Sequence, residues 1–134
     1  MQFTSHDIEC LYAARKLILK DVTRHYTIEE IATHVMLSPT KLKKGFKKVF
    51  GVGLFEHLQT EILDKSKEML ADKDQSIKLI SKALGFKHTN NFSRAFKKRT
   101  GMSPGDWRKT LNALVVFMGQ FFRFLIKLSS FTTI

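Results

Sequence analysis

The chain has 134 residues, which is enough for one domain or two very small ones. It carries 23 Lys and Arg against 12 Asp and Glu, a formal net charge of +11, and 43% of its residues are hydrophobic. The apolar content excludes a disordered basic tail. The single cysteine, Cys10, excludes a disulfide framework and a multi-cysteine zinc site. The positive charge predicts a polyanionic partner, with nucleic acid as the first candidate and an acidic membrane surface as the second.

Helical periodicity runs through most of the chain, whereas strand and hairpin signals are nearly absent. A first helix is predicted from about Ser5 to Lys20, and Thr4 with Asp7 forms a candidate capping box at its start. Cys10 lies beside its apolar stripe, where a lone thiol is most often part of a core. The stripe consists of Ile8, Leu11, Tyr12, Ile18 and Leu19.

The second and third helices are predicted from their start signals. Thr27 and Glu30 form a T-x-x-E capping box before an apolar run, which begins the second helix. Ser38-Pro39 places a preferred N-cap before a proline, which is tolerated at the first helical position. The third helix is therefore predicted from about Pro39 to Phe50, and Gly51 ends it.

Four further helices are predicted. The fourth, about Leu54 to Ala71, is about 27 Å long at 1.5 Å per residue, long enough to separate two modules. The next two are expected over about Ser76 to Leu84 and Thr89 to Arg99. Ser103-Pro104 then opens a short seventh helix, in which we expect Trp107 to fill the core rather than stack on a base.

Two stretches of the chain repeat, and each consists of a helix, a short turn and a basic helix. Ile28-x-x-Ile31-Ala32 matches Ile77-x-x-Ile80-Ser81 at an offset of 49 residues. The segment from Leu42 to Gly51 matches that from Phe92 to Gly101 at an offset of 50 residues. Because the one-residue difference falls in the turn, both stretches are predicted to be helix-turn-helix units.

The predicted fold is all-α, with two helix-turn-helix units joined by a long linker helix. The first unit covers about residues 27–51, the linker helix about 54–71 and the second unit about 76–101. Together they form an expected domain over residues 1–109. Residues 110–134 follow as an apolar tail.

Each basic helix has an apolar side and a polar side when its residues are placed at 100° intervals. The apolar sides consist of Leu42, Phe46, Val49 and Phe50 in the third helix and Phe92, Ala95 and Phe96 in the sixth. The polar side of the third helix carries Thr40, Lys41, Lys43, Lys44, Lys47 and Lys48. That of the sixth helix carries Asn90, Asn91, Arg94 and Lys98. Neither polar side contains an acidic residue.

These polar sides suit helices that lie in the major groove of DNA. Lys and Arg neutralise phosphates and reach guanine O6 and N7, and Asn pairs with adenine N6 and N7. A solvated lysine face would be the simpler interpretation for one isolated helix. The pattern occurs twice in a chain of charge +11, and it therefore indicates nucleic-acid binding. This geometry favours Lys44, Asn91 and Arg94 as the residues that read bases.

The stretch from Ile77 to Trp107 contains the pattern I-x-x-I-S-x-x-x-G-F, followed by F-x-R-x-F-K-K-x-x-G-x-S-P-x-x-W. With it, the chain from about Ser5 to Lys109 resembles the DNA-binding domain of AraC/XylS-type (arabinose-regulator) transcription regulators. The segment from Lys41 to Gly51 is similar to the pyochelin-receptor regulator branch. The chain departs from the family at Ile62, where an arginine is usual, and this argues against a polar or phosphate contact there.

The resemblance implies that both units enter successive major grooves on one face of double-stranded DNA. The base-reading residues carried over by position are Thr40, Lys43 and Lys44 in the first unit, and Thr89, Asn91 and Arg94 in the second. It also implies RNA polymerase as a partner, a cytoplasmic and nucleoid-associated location in a bacterium, and attachment to an effector-binding or dimerisation domain. The chain is therefore expected to be a fragment of a longer regulator, the alternative being a short stand-alone regulator. The complete predicted DNA-binding set is Thr40, Lys43, Lys44, Lys47, Lys48, Thr89, Asn90, Asn91, Arg94 and Lys98.

Patterns for catalysis and metal binding are absent from the sequence. The five histidines lack ligand spacing such as H-x-x-x-H, and no catalytic triad, phosphate loop or carboxylate pair is present. We expect no enzymatic activity, metal, cofactor or small-molecule site. His88, just before the sixth helix, is a candidate phosphate contact.

The tail beyond the resemblance has two apolar series at helical spacing. These are Leu111, Val115, Met118, Phe122 and Leu125, and Leu114, Phe117, Phe121, Phe124 and Leu128. The 18 residues from Leu111 to Leu128 include an Arg and a Lys and fall short of the roughly 20 that span a bilayer. A helix that caps the domain or forms a dimer, a membrane-surface helix and a non-native extension are the alternatives, and we favour association with a partner or with another copy of the chain.

Two other functions for the whole chain are considered. One is a basic, membrane-associated helical protein anchored by the tail. The other is a helical module that binds an acidic protein. The pair Asn90-Asn91 beside Arg94 argues against the latter, because attraction between point charges needs no bidentate amides.

Overall fold

The structure is a computed structural model that describes residues 1–131, and this part of the chain contains seven helices and no strand. The predicted all-α fold, with two helix-turn-helix units joined by a long helix, is confirmed. The helices are α1 (Ser5–Lys20), α2 (Ile28–Val35), α3 (Pro39–Phe50), α4 (Leu54–Leu70), α5 (Ile77–Ala83), α6 (Thr89–Thr100) and α7 (Pro104–Phe131).

The predicted capping boxes begin α1 and α2. The Thr4 amide donates to Asp7 Oδ2 at 2.9 Å, and the Asp7 amide donates to Thr4 Oγ1 at 3.1 Å. Thr27 and Glu30 make the same reciprocal pair at 2.9 and 3.1 Å. In α3, Ser38 Oγ accepts from the Lys41 amide at 3.1 Å. These bonds satisfy amide groups that would otherwise lack partners in the first turn.

The sequence repeat is a repeat of backbone geometry. Helix α6 has the bounds of α3 moved by 50 residues, and each ends at a left-handed glycine, Gly51 at φ 79° and Gly101 at φ 86°. The turn inside each unit also contains a left-handed residue, Met36 at φ 61° and Gly85 at φ 85°. The two units are therefore built by the same turns as well as by the same helices.

Each unit has its own hydrophobic core, and α4 contributes to both. The first core includes Leu54 from the start of α4, and the second includes Leu70 from its end. The buried centre of the first core consists of Leu11, Ala14, Ile18, Ile31, Leu42 and Phe46, and that of the second of Ile80, Leu84, Phe92 and Phe96. Helix α4 thus fixes the distance between two separately packed units.

The apolar stripe predicted for α1 is partly wrong. Leu11 and Ile18 are buried, whereas Ile8, Tyr12 and Leu19 are exposed. The centre of the buried face is turned by roughly 90° from the centre of the predicted stripe on the helical wheel. It takes in the small residue Ala14 together with Cys10, which lies in the core as predicted, and Asp7.

Helix α7 is much longer than the predicted short helix. It runs for 28 residues across residue 109 without a break. Trp107, in its first turn, packs on the second core with its ring edge-on to Phe96 at 5.7 Å between centroids, so its interpretation as a core residue is confirmed. Residues 113–130 are exposed, which excludes the alternative that the tail caps the domain.

Candidate nucleic-acid interface

Helix α3 presents its predicted polar side to solvent. Leu42 and Phe46 are fully buried on the opposite side. Four lysines line one shallow depression of the surface, and with Thr40 they form what we call the basic face of α3. The basic face consists of Thr40, Lys43, Lys44, Lys47 and Lys48, all of them exposed. Because no acidic side chain on this face neutralises the lysines, their charge remains available to attract phosphates.

The placement of Lys41 on this polar side is wrong. Its Nζ donates to Asp7 Oδ2 at 2.9 Å, and Asp7 is buried, with 5% of its surface exposed. The hydrogen bond from Lys41, followed by that from the Thr4 amide, holds the pKa of Asp7 below its usual value. Sequence spacing could not reveal this pair, because its members lie 34 residues apart on different helices.

Helix α6 presents the second predicted set. Asn90, Asn91, Arg94 and Lys98 are exposed, and Thr89, at the first position of the helix, is half-buried. Lys97 is exposed as well, although it is not among the predicted residues. It occupies the position of Lys47 in the 50-residue repeat, which is the signal that identifies it. We call Asn90, Asn91, Arg94, Lys97 and Lys98 the basic face of α6.

Ala95 was predicted to be a core residue, and this is wrong because it is exposed. That flank of α6 faces a groove between the two units instead of the second core. Next to it, Arg99 donates to Gln59 Oε1 at 3.2 Å and to Thr60 Oγ1 at 2.9 Å on α4. Arg99 therefore ties the second basic helix to the linker helix.

The two units also meet directly. The segment between α1 and α2 contacts the turn of the second unit, where His25 Nε2 lies 3.5 Å from the Leu84 carbonyl oxygen. The His25 ring is edge-on to Phe86, with 6.1 Å between ring centroids. A Cβ at Gly85 would collide with the Thr23 carbonyl oxygen. This close approach and α4 together set the position of one basic helix relative to the other.

The groove between the units has a volume of about 450 Å³ and is lined mainly by apolar side chains, among them Phe55, Ile62 and Phe86. Ile62 packs against the second core. Its place in an apolar wall agrees with the expectation that position 62 makes no polar contact. His88, the predicted phosphate contact, is exposed at the N-cap of α6, and its side chain makes no capping hydrogen bond.

No three His, Cys, Asp or Glu residues among residues 1–131 are grouped in a way that could hold a metal ion. The exposed basic and amide groups of α3 and α6 can bind anionic oxygens and donate to base edges. These are the groups that a nucleic-acid interface requires.

Comparison with known proteins identifies the family. The helix-turn-helix domain family matches residues 31–110. Regulatory protein PocR of Salmonella typhimurium is 31% identical over 109 residues, which cover 81% of this chain and 36% of PocR. The arabinose operon regulatory protein of the same organism is 32% identical over 84 residues, 63% of this chain and 30% of that protein. The chain spans about a third of the length of these two relatives.

Regulatory protein PchR of Pseudomonas aeruginosa is 33% identical over 76 residues, which cover 57% of this chain and 26% of PchR. The three identities lie between 31% and 33%, so they favour no branch of the family. The narrower assignment to the pyochelin-receptor branch therefore stays a prediction.

Solved structures agree with the sequence comparison. The C-terminal domain of AraT, a response regulator from Geobacillus stearothermophilus, has a TM-score of 0.71 at 29% identity, covering 75% of this chain and 84% of that one. The DNA-binding domain of AdpA, in complex with a target DNA, has a TM-score of 0.71 at 19% identity, covering 77% and 93%. The second match shows the fold alone. This chain belongs to the helix-turn-helix family of AraC-type transcription regulators and contains their DNA-binding domain.

Proposed function

We propose that this chain binds double-stranded DNA in a sequence-specific way, with α3 and α6 lying in successive major grooves. The observation that carries the proposal is the pair of exposed, acid-free basic faces at equivalent positions of two matched units. Two major-groove segments about one helical turn, ~34 Å, apart would be read. Because the two faces differ in sequence, the site is asymmetric rather than palindromic.

Within the two basic faces, we assign base reading and phosphate binding to different residues. We assign base reading to Lys44, Asn91 and Arg94, since Asn and Arg make bidentate pairs with adenine and guanine. Thr40, Lys43, Thr89 and Asn90 flank them in the first turns of the basic helices. The lysines further along, Lys47, Lys48, Lys97 and Lys98, supply salt-dependent phosphate contacts.

A solved structure with the same fold also supports DNA binding. AdpA, which shares the fold, was solved with its target DNA bound. RNA polymerase is proposed as a protein partner on the family resemblance, and the bacterial cytoplasm, at the nucleoid, as the location. The proposed self-association through residues 110–134 depends on a separate surface of the chain.

The proposal is tested by selecting duplexes from a random pool and titrating the selected and random DNA with the wild-type chain and two variants. Arg94→Ala removes a base-reading side chain, and Lys20→Ala removes an exposed positive charge at the end of α1, outside both basic faces. We expect Arg94→Ala alone to lose discrimination between selected and random duplexes. An equal effect of the two substitutions would contradict the proposed interface.

A further inference from the structure

The distal part of α7 exposes far more apolar surface than a soluble monomer usually does. Ten large apolar side chains are exposed between Leu114 and Ile126. At the size of such side chains they present roughly 1,000 Å² of apolar surface, whereas monomers rarely expose a contiguous patch above a few hundred Å². Such a surface indicates an interaction site.

Four of the exposed side chains follow a seven-residue repeat together with the half-buried Leu111. Leu111, Leu114, Met118, Phe121 and Leu125 are separated by steps of 3, 4, 3 and 4, which places them at the a and d positions of a heptad. The flanking e and g positions are apolar too, with Val115, Phe117, Phe122 and Phe124. We call these nine residues the heptad face. The polar residues Asn112, Gln120, Arg123 and Lys127 all occupy b, c or f positions, on the opposite side of the helix.

The composition of α7 suits association with other copies of the chain better than it suits a lipid bilayer. By length and composition α7 contains a candidate membrane span over Pro104–Ser130. The 18 residues from Leu111 to Leu128 include Arg123 and Lys127, whose charges would have to reach the membrane interface, and a charge held inside the hydrocarbon costs up to about 3 kcal/mol. A helix lying on a membrane surface typically has low net hydrophobicity and a strongly charged face. Here hydropathy is high and the polar stripe is only about 80° wide at 100° per residue.

We infer that copies of this chain associate through the heptad face of α7. A stable interface takes about 800 Å² from each partner, and the heptad face can supply it. Because apolar residues at e and g extend the face beyond the a and d seam of a two-stranded coiled coil, a bundle of more than two helices covers it best. The polar b, c and f residues then face water, together with Val116 and Ile126. If the proposed function holds, such a bundle joins several DNA-binding domains and raises their affinity for clustered sites.

Sedimentation equilibrium of the full chain tests the inference. We expect a mass that is a multiple of 15.5 kDa and that falls toward the monomer on dilution. Phe121→Glu places a charge at a d position and should leave the chain monomeric at concentrations where the wild type is assembled. Val116→Glu makes a comparable change at an f position, on the polar side, and should leave the mass unchanged. Both sites are exposed and distant from the two cores, so both variants keep the fold.

A monomeric wild-type chain, or an equal response to the two substitutions, would overturn the inference. Flotation with vesicles of phosphatidylglycerol and phosphatidylethanolamine covers the bilayer alternative, since a monomer that floats with the vesicles would assign α7 to the membrane. Binding of the Phe121→Glu monomer to a single duplex site is expected to match that of the wild-type monomer. If the chain assembles but does not bind DNA, the proposed function is contradicted and the inferred association through the heptad face still holds.

Discussion

Lys41 Nζ lies 2.9 Å from Asp7 Oδ2, and this contact joins the first turn of the basic helix α3 to the first turn of α1. The same carboxylate oxygen accepts the Thr4 amide at 2.9 Å and thereby closes the capping box of α1. One buried acid therefore caps one helix and positions the next. Lys41 has a structural role, and the basic face of α3 begins at its neighbours.

Asp7→Asn should lower the free energy of unfolding of the domain, and the loss should be larger at neutral pH than at acidic pH. The pKa of Asp7 is lowered from its usual 3.8, first by the hydrogen bond from Lys41. A lowered folded-state pKa gives stability that is present above the unfolded value of 3.8 and is lost as the pH falls through the folded value. The difference in unfolding free energy between wild type and Asp7→Asn should therefore shrink below about pH 4. Urea unfolding from pH 7 to pH 3 measures it.

Glu29→Gln, which removes an exposed acid on α2, serves as the control for charge alone. Lys41→Met should lower stability at neutral pH as Asp7→Asn does, because it leaves the buried carboxylate without its ammonium partner. Its affinity for DNA, measured while it is folded, should stay near that of the wild type. A large loss of affinity at unchanged stability would place Lys41 on the DNA surface after all.

Arg94→Ala should lower affinity for the selected duplex by about 1–3 kcal/mol and relax the base preference at one position. The physical reason is the loss of a bidentate contact to a base edge. Lys97→Ala, one turn along the same exposed face, is the matched control and should weaken all duplexes alike. If Arg94→Ala also weakened every sequence uniformly, Arg94 would be a phosphate anchor.

Lys47→Ala and Lys97→Ala should each reduce the slope of log affinity against log salt by about 1, because each removes one phosphate contact. The two lysines hold the same position in the repeat, so their effects should be equal. Titrations at several salt concentrations measure the slope. An unchanged slope in either variant would remove that lysine from the interface.

Met36→Gly should stabilise the domain. Met36 is left-handed at φ 61° and is 83% exposed, so its replacement removes backbone strain and little packing. The left-handed conformation costs about 1–2 kcal/mol, against about 0.5–1 kcal/mol for the extra backbone entropy of glycine. A net gain of about 0.5–1 kcal/mol raises Tm by about 2–5 °C, as a thermal melt would show.

Gly85 occupies the equivalent position of the second unit, and there we expect substitution to destabilise the domain. At φ 85° it is already suited to the turn, and an added Cβ would meet the Thr23 carbonyl oxygen. Gly85→Ala should therefore destabilise the domain by about 2 kcal/mol or more, because strain and a backbone collision add. A neutral effect would mean that the two units do not approach each other as described.

Features set by local chemistry could be predicted from the sequence, and features set by distant neighbours could not. The capping boxes at Thr4 and Thr27 and the glycine stop at Gly51 act within a few residues, so the first three helices were placed correctly. Lys41 and Ala95 were misplaced because their surroundings are supplied by Asp7 on α1 and by the groove between the units.

Helix α7 was predicted too short for a related reason. The resemblance to the family covers the chain only to about residue 109, and no proline or left-handed glycine interrupts the helix after Pro104. The absence of a further proline can be read from the sequence, whereas only the structure shows that Gly119 continues the helix. Lys97 lies outside the predicted set although the repeat places it at the position of Lys47, so here the internal repeat picks out an exposed lysine that the charge pattern of one helix does not.

The most direct test of DNA recognition is a titration of a selected and a random duplex at about 50 and 200 mM salt. With ~6 phosphate contacts, affinity should fall about 10³-fold between the two salt concentrations. We predict that the selected asymmetric duplex binds far more tightly than random DNA at both. Binding that depends on salt but is the same for every sequence would contradict base reading by α3 and α6 and leave only an electrostatic surface.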